Sequence, residues 1–252
     1  MQQIKAKTES VQEIQKGIFT LKVLAPSIAA EARPGQFCNI KVNEDNFPLL
    51  RRPFSISEVD RDYISFMFNI VGVGTEILSR KSKGDIIDII GPLGNGFDFV
   101  GDYKNAIIIA GGIGSAPFPY LFREIGVDKN VSCFVGGRSK ADIITYGMRN
   151  IFISTDDGSE GFHGNVVQLL DSKIDDFDKD ETKIFACGPT PMLRAVSEFS
   201  INRGISCEIS TESVMACGFG ICQGCVIEST KNDGFVLVCK DGPVFNAEDV
   251  RI

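Results

Sequence analysis

Hydrophobic and polar residues alternate one by one through most of the first hundred positions. Three stretches carry the alternation: Phe19, Leu21 and Val23, then Cys38, Ile40 and Val42, then Ile64, Phe66, Phe68 and Ile70. A period of two, interrupted by Pro-Gly and glycine-containing turns, predicts an antiparallel sheet or a small barrel. One short helix is predicted from Thr75 to about Lys83, with Thr75 as its N-cap and Gly84 at its end.

The pattern changes after the polar residues 101–105. Ala106–Ala110 is a continuous apolar run, typical of a central strand in a parallel sheet. Further strands are predicted at 131–135, 151–154 and 184–186, and helices at 140–146 and about 191–203, the last ended by Gly204. This alternation predicts a doubly wound, Rossmann-like α/β unit. The chain is therefore predicted to combine an all-β unit at 1–100, a mixed α/β unit at 101–205 and a small loop-rich unit at 206–252.

Composition narrows the classes of function. A length of 252 residues accommodates two domains and a small appendage, and 43% hydrophobic residues suffice for a folded core. The net charge of −7 argues against nucleic acid or an anionic membrane as a partner. No apolar run approaches the ~20 residues of a membrane span and no signal-peptide core is visible, so a cytoplasmic protein is expected. With a single histidine, His163, in a loop-like stretch and no G-x-x-x-x-G-K-[ST] motif, histidine-dependent catalysis and phosphoryl transfer from ATP have no support.

Four of the eight cysteines form a ligand pattern near the end of the chain. Cys217, Cys222, Cys225 and Cys239 are spaced C-x4-C-x2-C-x13-C. Plant-type [2Fe-2S] ferredoxins use a C-x4-C-x2-C run and a distant fourth cysteine, so these four residues are the predicted cluster ligands. The glycines between the first three, Gly218, Gly220 and Gly224, allow the backbone to approach the sulfurs closely.

A structural zinc site is the alternative for these cysteines. Zinc ribbons normally carry two C-x2-C pairs, whereas here only Cys222 and Cys225 form one, and the spacing favours iron–sulfur. The other cysteines, Cys38, Cys133, Cys187 and Cys207, are scattered through apolar or mixed segments. They are expected to be reduced thiols rather than a disulfide framework.

The stretch Arg52-Pro53-Phe54-Ser55 offers a charged, an aromatic and a hydroxyl side chain in four consecutive positions. A guanidinium pairs bidentately with pyrophosphate, and a serine hydroxyl can bond the edge of a flavin ring. An exposed edge strand with solvated arginines explains the stretch equally well. Gly72-Val73-Gly74-Thr75 favours the flavin, because glycines that enter a helix N-terminus are typical of anion binding.

A second glycine-rich turn follows the apolar run at 106–110. Gly112-Ile113-Gly114-Ser115-Ala116-Pro117 departs from the dinucleotide fingerprint only in having proline at the third glycine position. Flanking strand and helix stand in the required order for a nicotinamide dinucleotide site. The next strand ends at Arg138 instead of the acid that NAD-preferring proteins carry, so the residues leave NAD and NADP both open.

The order RPFS, GxGT and GPLGNGF resembles the flavin domain of the ferredoxin–NAD(P) reductase family. The resemblance implies a six-stranded barrel in which Arg52 binds the FAD pyrophosphate, Ser55 faces the flavin N5, and Gly74 and Thr75 hold phosphate. It further implies that Pro53, Phe54, Met67, Phe68 and Asn69 line the flavin, and that Gly111, Gly112 and Gly114 cradle the nicotinamide cofactor. The turn Cys187-Gly188-Pro189-Thr190-Pro191-Met192 matches that family's Cys-Gly-Pro-x-Pro-Met. Cys187, Gly188, Pro189 and Met192 are therefore expected near the nicotinamide, with Ser55 and Cys187 as candidate catalytic residues.

The whole chain, from the barrel to the ending Val238-Cys239-Lys240-Asp241-Gly242-Pro243, resembles the electron-transfer subunits of bacterial dihydroorotate dehydrogenase B. The resemblance implies an oxidoreductase of pyrimidine (UMP) biosynthesis that binds FAD, a [2Fe-2S] cluster and NAD. It also implies an FMN-containing catalytic partner subunit, two copies of each forming a heterotetramer. The alternatives are the FAD/[2Fe-2S] subunit of a sulfide dehydrogenase, a ferredoxin:NADP oxidoreductase or a sulfite reductase, and a redox-sensing or zinc-stabilised regulator on the same scaffold.

Overall fold

The computed structural model describes residues 1–45, 47–126, 128–231 and 234–252. Its strands form a closed six-stranded barrel, a seven-stranded sheet and a three-stranded sheet. No helix in the described ranges has both the length and the apolar character that crossing a membrane requires. All eight cysteines belong to the described ranges, and none forms a disulfide.

The barrel occupies the first hundred residues, as the period-two pattern predicts. Its strands are β1 (Gln2–Gln15), β2 (Ile18–Leu24), β3 (Phe37–Lys41), β4 (Arg52–Asp60), β5 (Tyr63–Asn69) and β6 (Ile86–Leu93), antiparallel in the order β1-β2-β5-β4-β3-β6. Two short helices, α1 (Pro26–Ala29) and α2 (Val73–Ser79), connect them. Leu21, Cys38 and Ile64 are fully buried inside, because alternate side chains of each strand point into the barrel.

Two local predictions for the barrel are wrong. Helix α2 begins at Val73 and ends at Ser79, so Thr75 lies in its first turn and is not the N-cap. The Thr75 hydroxyl instead accepts the Val71 and Gly72 N–H groups at 3.0 and 3.3 Å, so it satisfies donors from inside the turn. Ile70 lies beyond β5 and is 43% exposed, because the chain turns toward α2 where the alternation predicts another inward residue.

The second sheet is Rossmann-like. Its strands are β7 (Asn105–Gly111), β8 (Asn130–Gly137), β9 (Ile151–Thr155), β10 (Phe162–His163), β11 (Thr182–Cys187), β12 (Ser206–Ser210) and β15 (Val244–Asn246), in the order β10-β9-β8-β7-β11-β12-β15. Only β15 runs antiparallel to its neighbour. Helices α3 (Phe118–Ile125), α4 (Val166–Asp171) and α5 (Thr190–Arg203) accompany the strands. His163, predicted in a loop, is an exposed residue of the edge strand β10.

The helix predicted at 140–146 is reduced to one 3-10 turn, Lys140–Asp142. Ser139 and Asp142 cap this turn, and the chain is already extended at Ile143. The helix predicted at 191–203 is present as α5, and Gly204 ends it in the left-handed conformation with φ of 66°. Glycine suits that position because a Cβ would be strained there.

The last part of the chain divides its strands between two sheets. Strands β13 (Val226–Ser229), β14 (Phe235–Leu237) and β16 (Val250–Arg251) form the small third sheet, while β12 and β15 belong to the seven-stranded sheet. The boundaries at 100 and 205 stay predictions. The strand order bears on the boundary at 205, because β11 before this residue and β12 and β15 after it belong to the same sheet.

The C-terminal residues pack on the outside of the barrel. Phe37 and Leu93, from neighbouring barrel strands, share an apolar cluster with Cys225, Leu237, Val238 and Cys239. On the turn after β6, the Asn95 side-chain amide donates to the carbonyls of Lys240 and Asp241 at 3.3 and 2.9 Å. The predicted ligand Cys239 is therefore held between an apolar contact and a hydrogen-bonded turn.

Candidate functional site

Strand β4 brings the predicted pyrophosphate-binding residues together. A Cβ on Gly74 would lie 2.8 Å from the Arg52 Nε, so the absence of a side chain at Gly74 lets the guanidinium lie against the first turn of α2. Arg52 also donates to the carbonyl of Leu50. Thr75 is buried and uses its hydroxyl within its own turn, so any phosphate contact at Thr75 would have to compete with those bonds.

The aromatic residues predicted around the flavin occupy two different environments. Phe54 and Phe68 meet edge to face with ring centroids 5.8 Å apart, and Phe68 is buried and stacks on Phe19 in the barrel core. That leaves the backbone of Phe68, and not its ring, for a cofactor. Met67 points to the opposite face of β5, where it is buried in contact with Ala116.

A ligand outside the barrel core can reach three of the predicted residues, because their side chains are partly or fully exposed: Ser55, Pro53 and Asn69. Ser55 is opposite Phe37 in the β3–β4 register, and Pro53 is opposite Asn39. Directly paired residues of an antiparallel ladder point to the same face. Ser55 therefore shares a face with Phe37, which packs in the apolar cluster of Cys225 and Cys239.

The two predicted nicotinamide loops lie side by side at the carboxyl ends of β7 and β11. A Cβ on Gly111 would approach Met192 Sδ to 2.6 Å, and a Cβ on Gly114 would approach the Cys187 carbonyl oxygen to 2.5 Å. Glycine at both positions is thus required by the close approach of the loops. Gly112 has φ of 54° and no atom near its missing side chain, so it borders open space.

These loops border a cavity of about 800 Å³, of the size that ligand pockets usually have. Its wall contains Gly111, Gly112, Gly114, Gly188, Pro189 and Met192, all predicted from the sequence. It lies where ligands bind in open α/β sheets, outside the carboxyl ends of the strands. Cys187 is not part of the cavity wall and is only 4% exposed.

Charged side chains in the cavity bear on the choice of nucleotide. Arg138 is in the wall with Asp142 and Asp156, and the Arg138 guanidinium lies 3.5 Å from the Asp142 carboxylate. The two acids were not found from the sequence, because Asp142 lies in the 3-10 turn that follows β8 and Asp156 comes directly after the next strand, β9. Only the assembled sheet places both beside the glycine loops.

Glu212 is a further cavity residue that the sequence did not reveal. It follows β12 and lines the cavity, and desolvation raises the pKa of its carboxyl group. Burial, the Glu212 charge and, in the opposite sense, a Ser210 hydrogen bond set the pKa of Cys187 to about 12. Cys187 is therefore a neutral thiol at physiological pH. Strand β12 was not predicted from the sequence, so no sequence signal pointed to Glu212.

The four predicted cluster ligands form two pairs. The outer pair, Cys217 and Cys222, lies on the glycine-rich loop, where the Cys222 N–H donates to the Cys217 sulfur at 3.4 Å and Cys222 is exposed. The inner pair, Cys225 and Cys239, is buried, and the Cys239 N–H donates to the Cys225 sulfur at 3.4 Å. Such N–H bonds to sulfur stabilise negative charge on a thiolate.

This arrangement fits a binuclear cluster. A [2Fe-2S] cluster held by four cysteines places two thiolates on each iron, and the chain offers two adjacent pairs. Within the described ranges, no three histidine, cysteine, aspartate or glutamate side chains come close enough to hold a single metal ion.

Glycines and main-chain donors shape the outer pair's loop. Gly218 and Gly220 have φ of 79° and 89°, values that side chains rarely allow. Burial alone would raise the pKa of Cys217, but N–H groups of Cys222, Phe219 and Ile221 outweigh it and lower the pKa to about 6. The loop is thus built to hold a thiolate.

The fold is that of a ferredoxin reductase. The chain superposes on the structure of an NADH-dependent reduced ferredoxin-NADP oxidoreductase with a TM-score of 0.84 and 28% sequence identity. The superposition covers 98% of this chain and 90% of that one. It is also similar to a ferredoxin NADP+ reductase from Neisseria gonorrhoeae, with a TM-score of 0.68, 16% identity and coverages of 81% and 92%. At that lower identity the likeness concerns the fold alone.

Sequence comparisons define the family within this class. Residues 212–251 match the family described as the iron-sulfur cluster binding domain of dihydroorotate dehydrogenase B. The dihydroorotate dehydrogenase B (NAD(+)) electron transfer subunit of Caldanaerobacter subterraneus subsp. tengcongensis is 36% identical over 86% of both chains. The subunit of the same name from Fusobacterium nucleatum subsp. nucleatum is 35% identical over 97% of this chain and 96% of its own. This chain belongs to the family of dihydroorotate dehydrogenase B electron transfer subunits, which are oxidoreductase subunits.

Proposed function

We propose that this chain carries electrons from a dihydroorotate-oxidising partner subunit to NAD+, through a [2Fe-2S] cluster and FAD, in pyrimidine synthesis. Family membership at 36% identity supports the assignment. The observation that carries it is the contact between the inner cysteine pair and the barrel. Phe37 packs with Cys225 and Cys239 and stands opposite Ser55, so the proposed cluster and flavin sites share one face of the barrel.

The proposed roles follow the chemistry of each group. Cys217, Cys222, Cys225 and Cys239 hold the cluster, Arg52 pairs with the flavin pyrophosphate, and Ser55 bonds the flavin ring. The glycine loops at Gly111–Gly114 and at Gly188–Pro189 hold the dinucleotide in the cavity beside them. When bound, FAD interconverts one-electron transfer and two-electron hydride transfer, which lets a one-electron carrier reduce NAD+.

For the nucleotide we propose NAD rather than NADP. The carboxylates of Asp142 and Asp156 line the cavity and would repel a 2′-phosphate, and Arg138 is paired with Asp142. The expected result is a higher kcat/KM for NADH than for NADPH when ferricyanide accepts the electrons. An Asp142→Asn variant should reduce that preference, and equal kcat/KM values for both nucleotides in the unaltered chain would contradict the proposal.

The partner is proposed to be an FMN-containing catalytic subunit, in a cytoplasmic assembly of two copies of each chain. The outer pair's loop is the proposed docking surface, because electrons from the partner must reach the cluster through an accessible surface. Ile221 in this loop and Val214 just before it are 75% and 88% exposed. No pyrimidine-directed acid or base was identified in the sequence, so the substrate is proposed to bind to the partner. Dihydroorotate oxidation by the isolated chain would contradict this division of labour.

The test is an anaerobic pull-down of the tagged chain from its own cells, assayed for dihydroorotate-dependent NAD+ reduction. Co-purification of an FMN protein together with that activity is the expected result. A preparation that contains FAD and iron but lacks the activity would overturn the pyrimidine assignment.

A second candidate is a ferredoxin:NADP oxidoreductase subunit, favoured by the 28% identity to the NADH-dependent reduced ferredoxin-NADP oxidoreductase structure over 98% of the chain. The same preparation distinguishes the two, because only this second function predicts reduced-ferredoxin-dependent NADP+ reduction.

A further inference from the structure

Asn39 occupies an unusual place on the barrel wall. Its neighbours Cys38 and Ile40 point into the barrel core, so the Asn39 side chain points outward. An outward polar residue of a small barrel normally meets water, yet Asn39 is 0% exposed. The C-terminal part of the chain covers it.

The covering contact is made to a predicted cluster ligand. The Asn39 amide nitrogen donates to the main-chain carbonyl of Cys217 at 2.9 Å. Gly218, with φ of 79°, lies against the same amide, and a Cβ at that position would collide with the Asn39 nitrogen. The Asn39 side chain can therefore lie against the main chain at this position only because Gly218 has no side chain.

The other half of the amide is left without a partner. The Asn39 Oδ1 is buried and accepts no hydrogen bond from the described residues. A buried acceptor without a partner destabilises the folded state, so an apolar residue would serve barrel stability better. The amide's one satisfied bond points to the cysteine loop, which indicates that the residue serves the loop.

Asn39 also connects the two candidate cofactor sites. In the β3–β4 register it pairs with Pro53, which stands between Arg52 and Phe54 on the proposed flavin strand. Only one strand therefore separates the cysteine loop from that strand. The carbonyl of Cys217 shares its peptide plane with the Gly218 N–H, so this hydrogen bond fixes the start of the loop. Further along the same loop, the Cys222 N–H reaches the Cys217 sulfur at 3.4 Å.

We propose that Asn39 is a positioning residue that fixes the Cys217 loop against the flavin strand and thereby tunes the reduction potential of the cluster. The inference rests on the proposed function, since it needs a cluster at the four cysteines. Potentials of iron–sulfur clusters depend on hydrogen bonds to the sulfurs and on solvent exposure. Both depend on how the outer pair's loop is held.

The test uses the full-length holoprotein and two substitutions. Asn39→Leu removes the donor and the unpartnered acceptor while keeping the branched shape and the number of side-chain heavy atoms, so it is expected to fold. Asn39→Asp keeps the shape and replaces the donor with an acceptor that faces the Cys217 carbonyl. Asn43→Asp is the matched control, because Asn43 also donates its amide to a main-chain carbonyl, that of Phe47 at 2.8 Å, and also buries an Oδ1 that accepts no bond from the described residues, but its bond lies outside the cysteine segment.

Three readouts separate tuning from folding: FAD, iron and sulfide content, the electron paramagnetic resonance spectrum of the reduced cluster, and its midpoint potential. Both Asn39 variants should retain FAD and NADH–ferricyanide activity within about twofold of the unaltered protein. Their spectra should change and their reduction equilibrium should shift up to tenfold, which is about 59 mV for one electron. Asn43→Asp should leave the spectrum and potential unchanged.

An unchanged spectrum and potential in Asn39→Leu would overturn the proposal. So would loss of FAD or of the folded barrel in that variant, because Asn39 would then be a structural residue of the barrel. Loss of iron with FAD retained supports the proposal, since the residue then acts on the cysteine loop. Absence of an iron–sulfur cluster from the unaltered protein would instead contradict the proposed function, so the two failures are distinguishable.

Discussion

The inner and outer cysteine pairs are predicted to hold one cluster, yet their surroundings differ. Cys225 and Cys239 are 2% and 1% exposed and are packed among Phe37, Leu93 and other apolar side chains. Cys222 is exposed and Cys217 is half-buried, both on a loop shaped by glycines. The inner pair is therefore positioned by the same packing that attaches the C-terminal part of the chain to the barrel.

The outer pair depends on other forces. Main-chain N–H groups and the amide of Asn39 hold the Cys217 side of its loop, and Phe219 on that loop packs against the inner pair's apolar cluster only as a partly buried residue. Hydrophobic burial contributes much more to stability than a few exposed hydrogen bonds do. The comparison teaches that folding itself builds half of the site, while the other half remains accessible to iron and to a partner.

The largest expected effect comes from removing the apolar support of the inner pair. Phe37→Ala should lower the free energy of unfolding of the metal-free chain by about 3–5 kcal/mol, because it leaves a cavity beneath Cys225 and Cys239. Urea denaturation measures this difference. Phe235→Ala, at a ring that is 73% exposed, is the control and should change stability by less than about 0.5 kcal/mol. Equal effects would mean that the inner pair is not supported by packing.

A substitution in each pair sharpens the contrast. Cys239→Ser should destabilise the metal-free chain by about 1–3 kcal/mol, because it buries a hydroxyl in an apolar environment. Cys222→Ser, at an exposed position, should leave that stability unchanged. Both variants should lose the cluster, which iron analysis and the visible spectrum would register. Retention of a normal cluster by either variant would contradict the ligand set.

The pH dependence of stability tests the buried thiols that belong to neither pair. Burial raises the pKa of Cys38 and raises the pKa of Cys133, Cys187 and Cys207 to about 12 each. In the unfolded chain these thiols ionise near the ordinary value of about 8.5, so the native state binds more protons and stability falls as pH rises. Each thiol should remove about 1.4 kcal/mol for every pH unit above ~9.

Denaturation of the metal-free chain at pH 8, 9 and 10 measures this slope. Cys133→Ala should make it shallower by one thiol's share, whereas Phe235→Ala, which removes an exposed ring that does not titrate, should leave the slope intact. A slope that is the same in both variants would contradict the assignment to buried thiols.

The smallest effect on stability is expected at the tip of the outer pair's loop. Ile221→Asp should leave the free energy of unfolding within about 0.5 kcal/mol, because Ile221 is 75% exposed. It should nevertheless weaken assembly with the catalytic partner, since a charge in a docking surface is costly to desolvate. NADH oxidation with ferricyanide should persist. Co-purification measures the assembly, and full assembly by the variant would place the interface elsewhere.

The sequence predicted the main features of the fold from local patterns. Alternation through Leu21, Cys38 and Ile64 predicted barrel strands, and the apolar run Ala106–Ala110 predicted the central parallel strand that is β7. These predictions are confirmed because strand periodicity is set by which side chains point inward. Thr75 and the stretch 140–146 were wrong, since helix ends and short helices depend on competing local hydrogen bonds.

The candidate site was predictable where chemistry requires a fixed spacing. The cysteine pattern, the Arg52–Ser55 stretch and the glycine loops are compact in sequence, so local residue types sufficed to propose them. Asp142, Asp156 and Glu212 were missed, because they reach the cavity from separate strands and carry no motif of their own.

By itself, then, the sequence predicted the strands that carry a clear local pattern, and it proposed the order of the units and the four candidate ligands, all from the types of neighbouring residues. Only the tertiary structure decided that Asn39 is buried, that β15 joins the second sheet and that Phe37 supports the inner pair. Asn39 shows the reason. The alternation along β3 correctly predicts that the Asn39 side chain points outward. The residue that covers it, however, lies 178 residues further along the chain. No local period encodes a contact of that range, which arises when the C-terminal residues bury their apolar side chains against the barrel.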